Sequence, residues 1–597
     1  MRNMLCFALL VPILALAAGT TQPVTALAPE NGTVNVTVTP SPTPAGQGQP
    51  GIPPRALVGT LDTIGGTTYD WWTNGPRLSA IVNSPTYGVH ALWMYSTATT
   101  GTDFPDRNMR YNFYDITSHA WNWVDADYMQ SGVNVFDKRA GYGNIVADPA
   151  TGNAIVGGHV PSGSNVVPRV ARDAAPGAGI FEYADGEPVL GVCQWPPIAV
   201  NQDGQISIFP ITAAYDLSYS HIKADSWPTF STPMTGIVPS PLFPTHNIAA
   251  SKVSSKVALT WSISTTTGIE DGYVDFSTDG GVTWGGPTLL ELPVAYGNGS
   301  DTVTSCHLTS LFPWYDAQDR FHIAANLMPM INDTGYILPS QIWHYCPDNA
   351  EPWSRIHVAS VDPANYLYPI GYNATLACRP TLGQDDDGNL FVAWEQFDTL
   401  NNEPTTSRAR ADIWAARSTD NGASWGEGLK LTDAGTHSMR FPSVIDLAVE
   451  GDPDTMYVIY LDDSIAGFCL YSEGAYTPNP VVVQKVPVDA IPVKPGAVSE
   501  QRAITPLRLD VAASPNPFGR STRLSYVVPH RGNVSLDIFD AAGRNVRALA
   551  CGRSEAGRFD ATWDGRSQSG ALVPEGVYLY RYALDGKRVT GKLTLTR

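Results

Sequence analysis

The chain has 597 residues, is 43% hydrophobic but only 16% charged, and carries 37 Lys and Arg against 56 Asp and Glu, for a net charge of −19. That length predicts several domains or one large repeat array, and the acidic balance argues against a nucleic-acid or anionic-membrane partner. Tyr, Trp, Thr, Val and Gly are abundant and no long amphipathic helical run occurs, which is an all-β profile. The charge is uneven. From Leu507 to Arg597 there are 14 Lys and Arg against 8 Asp and Glu, an excess of +6, so the rest of the chain carries −25. A basic tail on an acidic body predicts a domain boundary near residue 500.

Arg2, the apolar run Leu5 to Ala17 and the small-x-small step Ala15-Leu16-Ala17 predict an export signal over residues 1–18. The run is about 14 residues, short of the roughly 20 that span a bilayer, so no transmembrane segment is expected. Residues 19–56 are rich in Pro, Gly and Thr and read as a flexible spacer. Cys6 leaves with the signal; Cys193, Cys306, Cys346, Cys378, Cys469 and Cys551 remain. Export permits disulfides, but buried free thiols explain these cysteines equally well, and the lack of CxxC spacing argues against a zinc site.

Residues 57–488 scan as a repeat of apolar strand, tight polar turn and second apolar strand. The turns fall at Tyr87-Gly88, Thr151-Gly152-Asn153, Asp203-Gly204, Ser254-Ser255, Gln318-Asp319, Asp387-Gly388 and Gly451 to Thr455. Spacings of about 50–70 residues suit four-stranded blades. An eight-residue turn also occurs twice, as Ser277-Thr278-Asp279-Gly280-Gly281-Val282-Thr283-Trp284 and Ser418-Thr419-Asp420-Asn421-Gly422-Ala423-Ser424-Trp425. The Asp is expected to accept backbone N–H groups two residues on, the Gly to adopt positive φ, and the Trp to plug the turn. Weaker copies close at Trp121, Trp227 and Trp353. The pattern S-x-D-x-G-x-[TS]-W resembles the Asp box, or BNR repeat, of sialidase-like β-propellers. It implies a single propeller; the seven turns count seven blades, or six, the usual sialidase number, if the weak second or seventh unit belongs to a neighbour or cap. In that family the box is a structural staple remote from the active centre.

After a linker at 489–506, residues 507–597 show short strands every 8–12 residues, the pattern of a small Ig-like sandwich. The ordered set Ser514-Pro515-Asn516-Pro517-Phe518, Asp540 to Arg544, Trp563-Asp564-Gly565, Gly576 to Tyr580 and Lys592 to Arg597 resembles the FlgD-like Ig domain and the C-terminal sorting domain of type IX secretion. The resemblance implies a bacterial protein exported through the periplasm, with outer-membrane secretion machinery as a partner and the cell surface or medium as destination.

Chemistry in the propeller depends on residues that open each blade, because first strands line the central channel. Those positions offer Arg77, Gln194 with Trp195, His246, His307, Arg379 and Arg440. A guanidinium fork suits a carboxylate, so Arg77, Arg379 and Arg440 could form an anion-binding mouth; the plainer expectation is that each bonds carbonyls of neighbouring blades. The sialidase resemblance also implies a Tyr nucleophile activated by Glu, for which Glu395 and Tyr460 are the candidates. Asp385-Asp386-Asp387-Gly388 reads either as a Ca²⁺ loop or as an acidic hairpin turn; no other cofactor is expected. The function expected is a non-catalytic propeller that binds a glycan or a surface protein, with an exo-glycosidase of sialidase type, acting on terminal acidic sugars, as the alternative.

Overall fold

The computed structural model describes residues 57–73, 75–214, 216–237, 245–264, 270–293, 305–331, 334–335, 338–361, 370–371, 374–433, 435–494, 510–528, 532–554, 557–584 and 587–596. The export signal, the spacer and residues 495–506 of the linker lie outside them. The chain separates into two compact units, residues 1–498 and 499–597. The described residues are nearly all β, with one four-residue α-helix, Glu187–Leu190. Among them no helix is long and apolar enough to cross a membrane.

In the first unit seven antiparallel sheets of three to five strands succeed one another among the described residues. Their first strands are Ile81–Ser84, Ile145–Ala147, Ile198–Val200, Thr245–Ala250, Ser305–Tyr315, Ala377–Gln384 and Ser438–Val444. Each of these contacts the first strand of the next sheet in order. The ring closes on itself. Thr60–Thr67, the first strand in sequence, is the outermost strand of the seventh sheet, paired antiparallel with Asn479–Pro487. At the centre the Ala80 N–H donates to Ser443 Oγ (3.1 Å) and the Asn83 N–H to Asp446 Oδ1 (2.8 Å), joining first and seventh sheets. The unit is a β-propeller.

A repeated polar staple ties adjacent first strands together. The Ile198 N–H donates to Asn144 Oδ1 (2.9 Å) and the Val444 N–H to Thr381 Oγ1 (3.0 Å), while Asn247 Nδ2 donates to the Leu311 carbonyl (3.2 Å). Each is an otherwise buried backbone group that needs a partner where two sheets meet. The staple residue precedes an aliphatic one each time: Asn144-Ile145, Asn247-Ile248, Thr381-Leu382, Ser443-Val444.

The two eight-residue turns are built alike, and the bonding differs in one respect from the sequence expectation. The Ser, not the Asp, takes the N–H two residues on: Ser277 Oγ accepts from Asp279 N (3.3 Å) and Gly281 N (2.7 Å), as Ser418 Oγ does from Asp420 N (3.4 Å) and Gly422 N (2.9 Å). The Asp reaches four residues on. Asp279 Oδ1 accepts the Thr283 N–H (2.8 Å) and Oδ2 its hydroxyl (2.6 Å); Asp420 binds Ser424 with the same two distances. These bonds, chiefly those from Thr283, pull the Asp279 carboxyl down to about 2. The Trp does more than plug its own turn. Trp284 lies edge-on to Tyr219 of the preceding sheet (4.8 Å), Trp425 donates to Ser354 Oγ of the preceding sheet (3.1 Å), and Trp121 donates to Asp62 on the seventh sheet (3.1 Å). The series therefore fixes sheet against sheet.

Gly281 and Gly422 sit at φ +82° and +74°, and a Cβ there would run into the Tyr219 hydroxyl and the His344 ring respectively. Gly422→Ala is therefore expected to lower stability by about 1–3 kcal/mol, read as a shift of the urea midpoint at constant slope. An unshifted midpoint would show that the turn is not held against the fifth sheet.

Among the described residues Cys193, Cys346, Cys378 and Cys469 are free thiols, all buried, and Cys551 is free and exposed; Cys306 is buried. The second unit packs a three-stranded sheet (Asp510–Ser514, Thr522–Val528, Gly557–Trp563) with a four-stranded one (Asn545–Ser554, Gly532–Phe539, Gly576–Leu584, Lys587–Leu595). Trp563, wholly buried, centres its core between Phe518 (5.5 Å) and Tyr578 (4.9 Å).

Candidate functional site

Four non-glycine residues have positive φ at matching places, Tyr142 (+54°) and Trp195 (+47°) just ahead of first strands and Arg379 (+56°) and Phe441 (+57°) within the first strands Ala377–Gln384 and Ser438–Val444. All four share one pattern, a large side chain, then Gly or Pro, then two residues into the strand: Tyr142-Gly143-Asn144-Ile145, Trp195-Pro196-Pro197-Ile198, Arg379-Pro380-Thr381-Leu382, Phe441-Pro442-Ser443-Val444. In the last two the ladder register shifts at this point, between Cys378 and Thr381 and between Arg440 and Ser443. A left-handed residue at a bulge re-aims a side chain at a cost of about 1–3 kcal/mol, and such strain collects at functional sites. The segment from Thr68 to Arg77, linking the seventh sheet to the first, joins the two groups of residues these turns present.

One group is a buried charge cluster. Arg379 Nη1 pairs with Glu395 Oε1, and Arg440 Nε donates to Glu395 Oε2 (3.1 Å), which also accepts the Phe441 N–H (2.8 Å). Arg77 Nε donates to the Phe441 carbonyl (3.1 Å). The structure thus brings Arg77, Arg379 and Arg440 together, all three buried. The carbonyl bond expected of a plain blade arginine holds for Arg77; Arg379 and Arg440 instead take a shared carboxylate. Aromatic rings alternate with the guanidiniums: Arg77 over Trp72 (5.4 Å), Arg379 and Arg440 over Phe441 (5.0 and 5.1 Å), Arg440 over Phe468 (4.6 Å). Burial would raise the Glu395 carboxyl, but Arg440, Arg379 and the Phe441 N–H outweigh it and bring it down to about 2. Arg77 is pushed down to about 9 by burial, which the Glu395 charge only partly opposes. Behind Arg440, burial raises Asp70 to about 6 and lifts Asp463 well above the carboxylate range; Asp70 accepts from the Cys469 N–H (2.7 Å).

Glu395, which the sialidase resemblance offers as the activator of a tyrosine nucleophile, is held by arginines. Both of its oxygens are bound by arginines, the position of a counter-ion. Tyr460 packs in the apolar cluster of Phe391, Ile413 and Val444, and burial lifts its hydroxyl far above the usual range.

The other group is half open. Tyr142 and Trp195 are both half-buried. Tyr142 Oη lies 2.5 Å from Tyr69 Oη, and Arg107 stands over the Tyr142 ring (5.0 Å) while donating to Tyr69 Oη (3.3 Å) and the Ala140 carbonyl (3.0 Å). Arg139 donates to the carbonyls of Asp103 (2.9 Å) and Phe104 (3.0 Å). Both arginines bond carbonyls or a hydroxyl rather than a carboxylate, with Arg107 set over the rings of Tyr69 and Tyr142. His159, buried against Tyr142 (5.4 Å), accepts the Trp195 N–H at Nδ1 (3.2 Å), which puts its neutral proton on Nε2; burial, with Arg107 and Arg139 adding, holds it well below the usual histidine range. His246 joins this group by donating from Nε2 to the Trp195 carbonyl (2.9 Å). His307 lies in Ser305–Tyr315 opposite Met328; its side chain is outside the described residues.

Tyr142, His159, Arg107 and Arg139 were not singled out from the sequence. The shared pattern before Ile145, Ile198, Leu382 and Val444 is the signal that reaches Tyr142. Asp385-Asp386-Asp387-Gly388 is a hairpin turn in which Asp385 accepts the Asn389 N–H (2.8 Å) and its side-chain amide (2.7 Å). Asn201 and Asp316 organise the matching turns of the third and fifth sheets in the same way.

Residues 524–586 match the FlgD Ig-like domain. No curated protein matches the chain in sequence. Among solved structures, an ulvan lyase is similar at 15% identity with a TM-score of 0.42, over 71% of this chain and 96% of that one, and its complex with a GlcA(1-4)Rha3S saccharide scores the same. Polysaccharide lyase Uly1 is 10% identical with a TM-score of 0.40 over 70% of this chain and 92% of that one. The α-L-arabinanase of Penicillium chrysogenum with arabinobiose is 10% identical with a TM-score of 0.32, over 58% of this chain and 93% of that one.

Proposed function

We propose that the propeller, counted as seven blades, binds an acidic glycan at the face presented by Tyr142 and Trp195. One observation carries the reading: two half-buried aromatic side chains, held in left-handed backbone and joined through His159, share a site with Arg107 and Arg139, whose hydrogen bonds go to carbonyls and a hydroxyl rather than to a carboxylate. Aromatic faces stack on sugar C–H surfaces while a guanidinium takes a carboxylate or sulfate. On an acidic protein such a positive spot is selective for anionic ligands near it. The binding is read as non-catalytic, since Glu395 and Tyr460 do not assemble a sialidase-type pair.

A catalytic reading has one observation in its favour, the Tyr69–Tyr142 hydroxyl pair at 2.5 Å backed by Arg107 and neutral His159, which are groups able to exchange a proton with a bound sugar. One experiment separates the two. Full-length protein is titrated calorimetrically with a GlcA(1-4)Rha3S oligosaccharide and its uncharged counterpart, and product is followed chromatographically. Binding of the anionic probe alone, weakened about tenfold or more by Trp195→Ala and by Arg107→Gln, is expected, with no turnover. Turnover abolished by Tyr142→Phe would establish the catalytic reading instead. No binding at millimolar probe would end both.

We further propose that the protein is exported by its N-terminal signal and sorted to the bacterial surface through the second unit, whose Ig-like match and basic charge support a role as a handle. Deleting residues 507–597 is expected to trap the propeller in the periplasm; surface display without them would refute that role.

A further inference from the structure

The sixth sheet has a second cleft that the face described above does not use. Leu390–Asn402, paired with Ala409–Ser418, runs on beyond its pairing with Ala377–Gln384 as a long hairpin, and the cleft lies along it, about 780 Å³ with its open mouth included. Its floor is Trp414, half-buried, stacked on the wholly buried Trp394 (6.4 Å, 22°) and flanked by His357 (5.8 Å). Cross-strand pairing fixes these positions: Trp394 lies opposite Trp414, and Trp414 opposite Lys430. The indole is thus oriented before any ligand arrives, which lowers the ordering cost of binding.

The polar groups around it are few and of one balance. Asp412 is buried, bound to Lys430 Nζ (2.7 Å) and to the Thr432 hydroxyl (2.9 Å). Asp398, exposed, has its carboxylate oriented by the Leu400 N–H (2.9 Å), and Ser360, also exposed, lines the same cleft. Asp398 and Asp412 against Lys430 leave the cleft with a formal charge of −1, and Asp433 stands 3.8 Å from Lys430 beyond it. An anionic ligand would meet an already matched lysine and an unmatched carboxylate. An uncharged sugar would set its C–H face on the indole and donate hydroxyls to Asp398, the usual division of labour in a saccharide site.

We propose that this cleft is a second saccharide site, specific for uncharged sugars, with Trp414 as its platform and Asp398 as its hydroxyl acceptor. It is separate from the face of Tyr142 and Trp195 and stands independently of the acidic-glycan reading. A glycan with charged and uncharged residues would then be held at two places on one propeller, raising avidity without tight binding at either.

The test is calorimetric titration of the full-length protein with cellotetraose, xylotetraose and arabinotetraose, and with the GlcA(1-4)Rha3S oligosaccharide as the charged comparator. At least one neutral tetrasaccharide is expected to bind. Trp414→Ala should weaken it about tenfold and Asp398→Ala several-fold, while Trp195→Ala leaves it unchanged. Asp398 is exposed, so that variant reports on a folded protein even if Trp414→Ala loosens the packing on Trp394. Failure of all three neutral probes to bind would overturn the proposal. So would affinity that survives both substitutions, or displacement of the neutral probe by the charged one.

Discussion

Glu395→Gln is expected to cost about 3–5 kcal/mol of stability, because it removes the carboxylate charge that two buried arginines share. Arg379 and Arg440 are 3% and 1% exposed, so solvent cannot replace the lost partner. The same residue sets a pH dependence of definite sign. Its carboxyl is depressed from 4.5 to about 2 in the folded chain. Its contribution is therefore complete above pH 4.5 and is lost as the pH falls from there through about 2. Urea titrations at pH 7 and pH 3 measure both effects: wild type should lose more stability on acidification than Glu395→Gln does. Equal losses would mean that the cluster does not hold the sixth and seventh sheets together.

Trp71→Ala is expected to cost a further large amount, about 3–5 kcal/mol. Trp71 is wholly buried and meets Phe468 (4.5 Å), Tyr471 (5.0 Å) and Phe441 (6.4 Å) edge-on. It lies on the segment that joins the outermost strand of the seventh sheet to the first sheet, so the cavity opens at the seam where the ring closes. Trp71→Phe, which keeps part of the volume, should recover a substantial part of the loss. The midpoint of urea unfolding checks both variants; an alanine variant as stable as wild type would place the closure elsewhere.

Much of the fold was legible because hairpin turns write themselves in short sequence. Asp203-Gly204 and Asp387-Gly388 mark turns between first and second strands, and Ser277 and Ser418 open turns between third and fourth, as local hydrogen bonds require. The second unit was legible from alternation: Thr522, Leu524, Tyr526 and Val528 are buried while Arg523 and Ser525 are exposed. What sequence hid is what depends on neighbours far along the chain. That Arg77 would meet Phe441, 364 positions away, follows only from closure of the ring. Glu395 looked like a candidate base because nothing near it in sequence shows that Arg440 folds onto it. Tyr142 was hidden differently, since positive φ in a bulky residue runs against local preference and is imposed by the strands on either side.

The acidic-glycan claim is tested most directly by the crystal structure of the protein with a GlcA(1-4)Rha3S oligosaccharide. The saccharide should lie on Tyr142 and Trp195 with its carboxylate or sulfate within hydrogen-bond distance of Arg107 or Arg139. An oligosaccharide bound elsewhere, with those four side chains uncontacted, would contradict it.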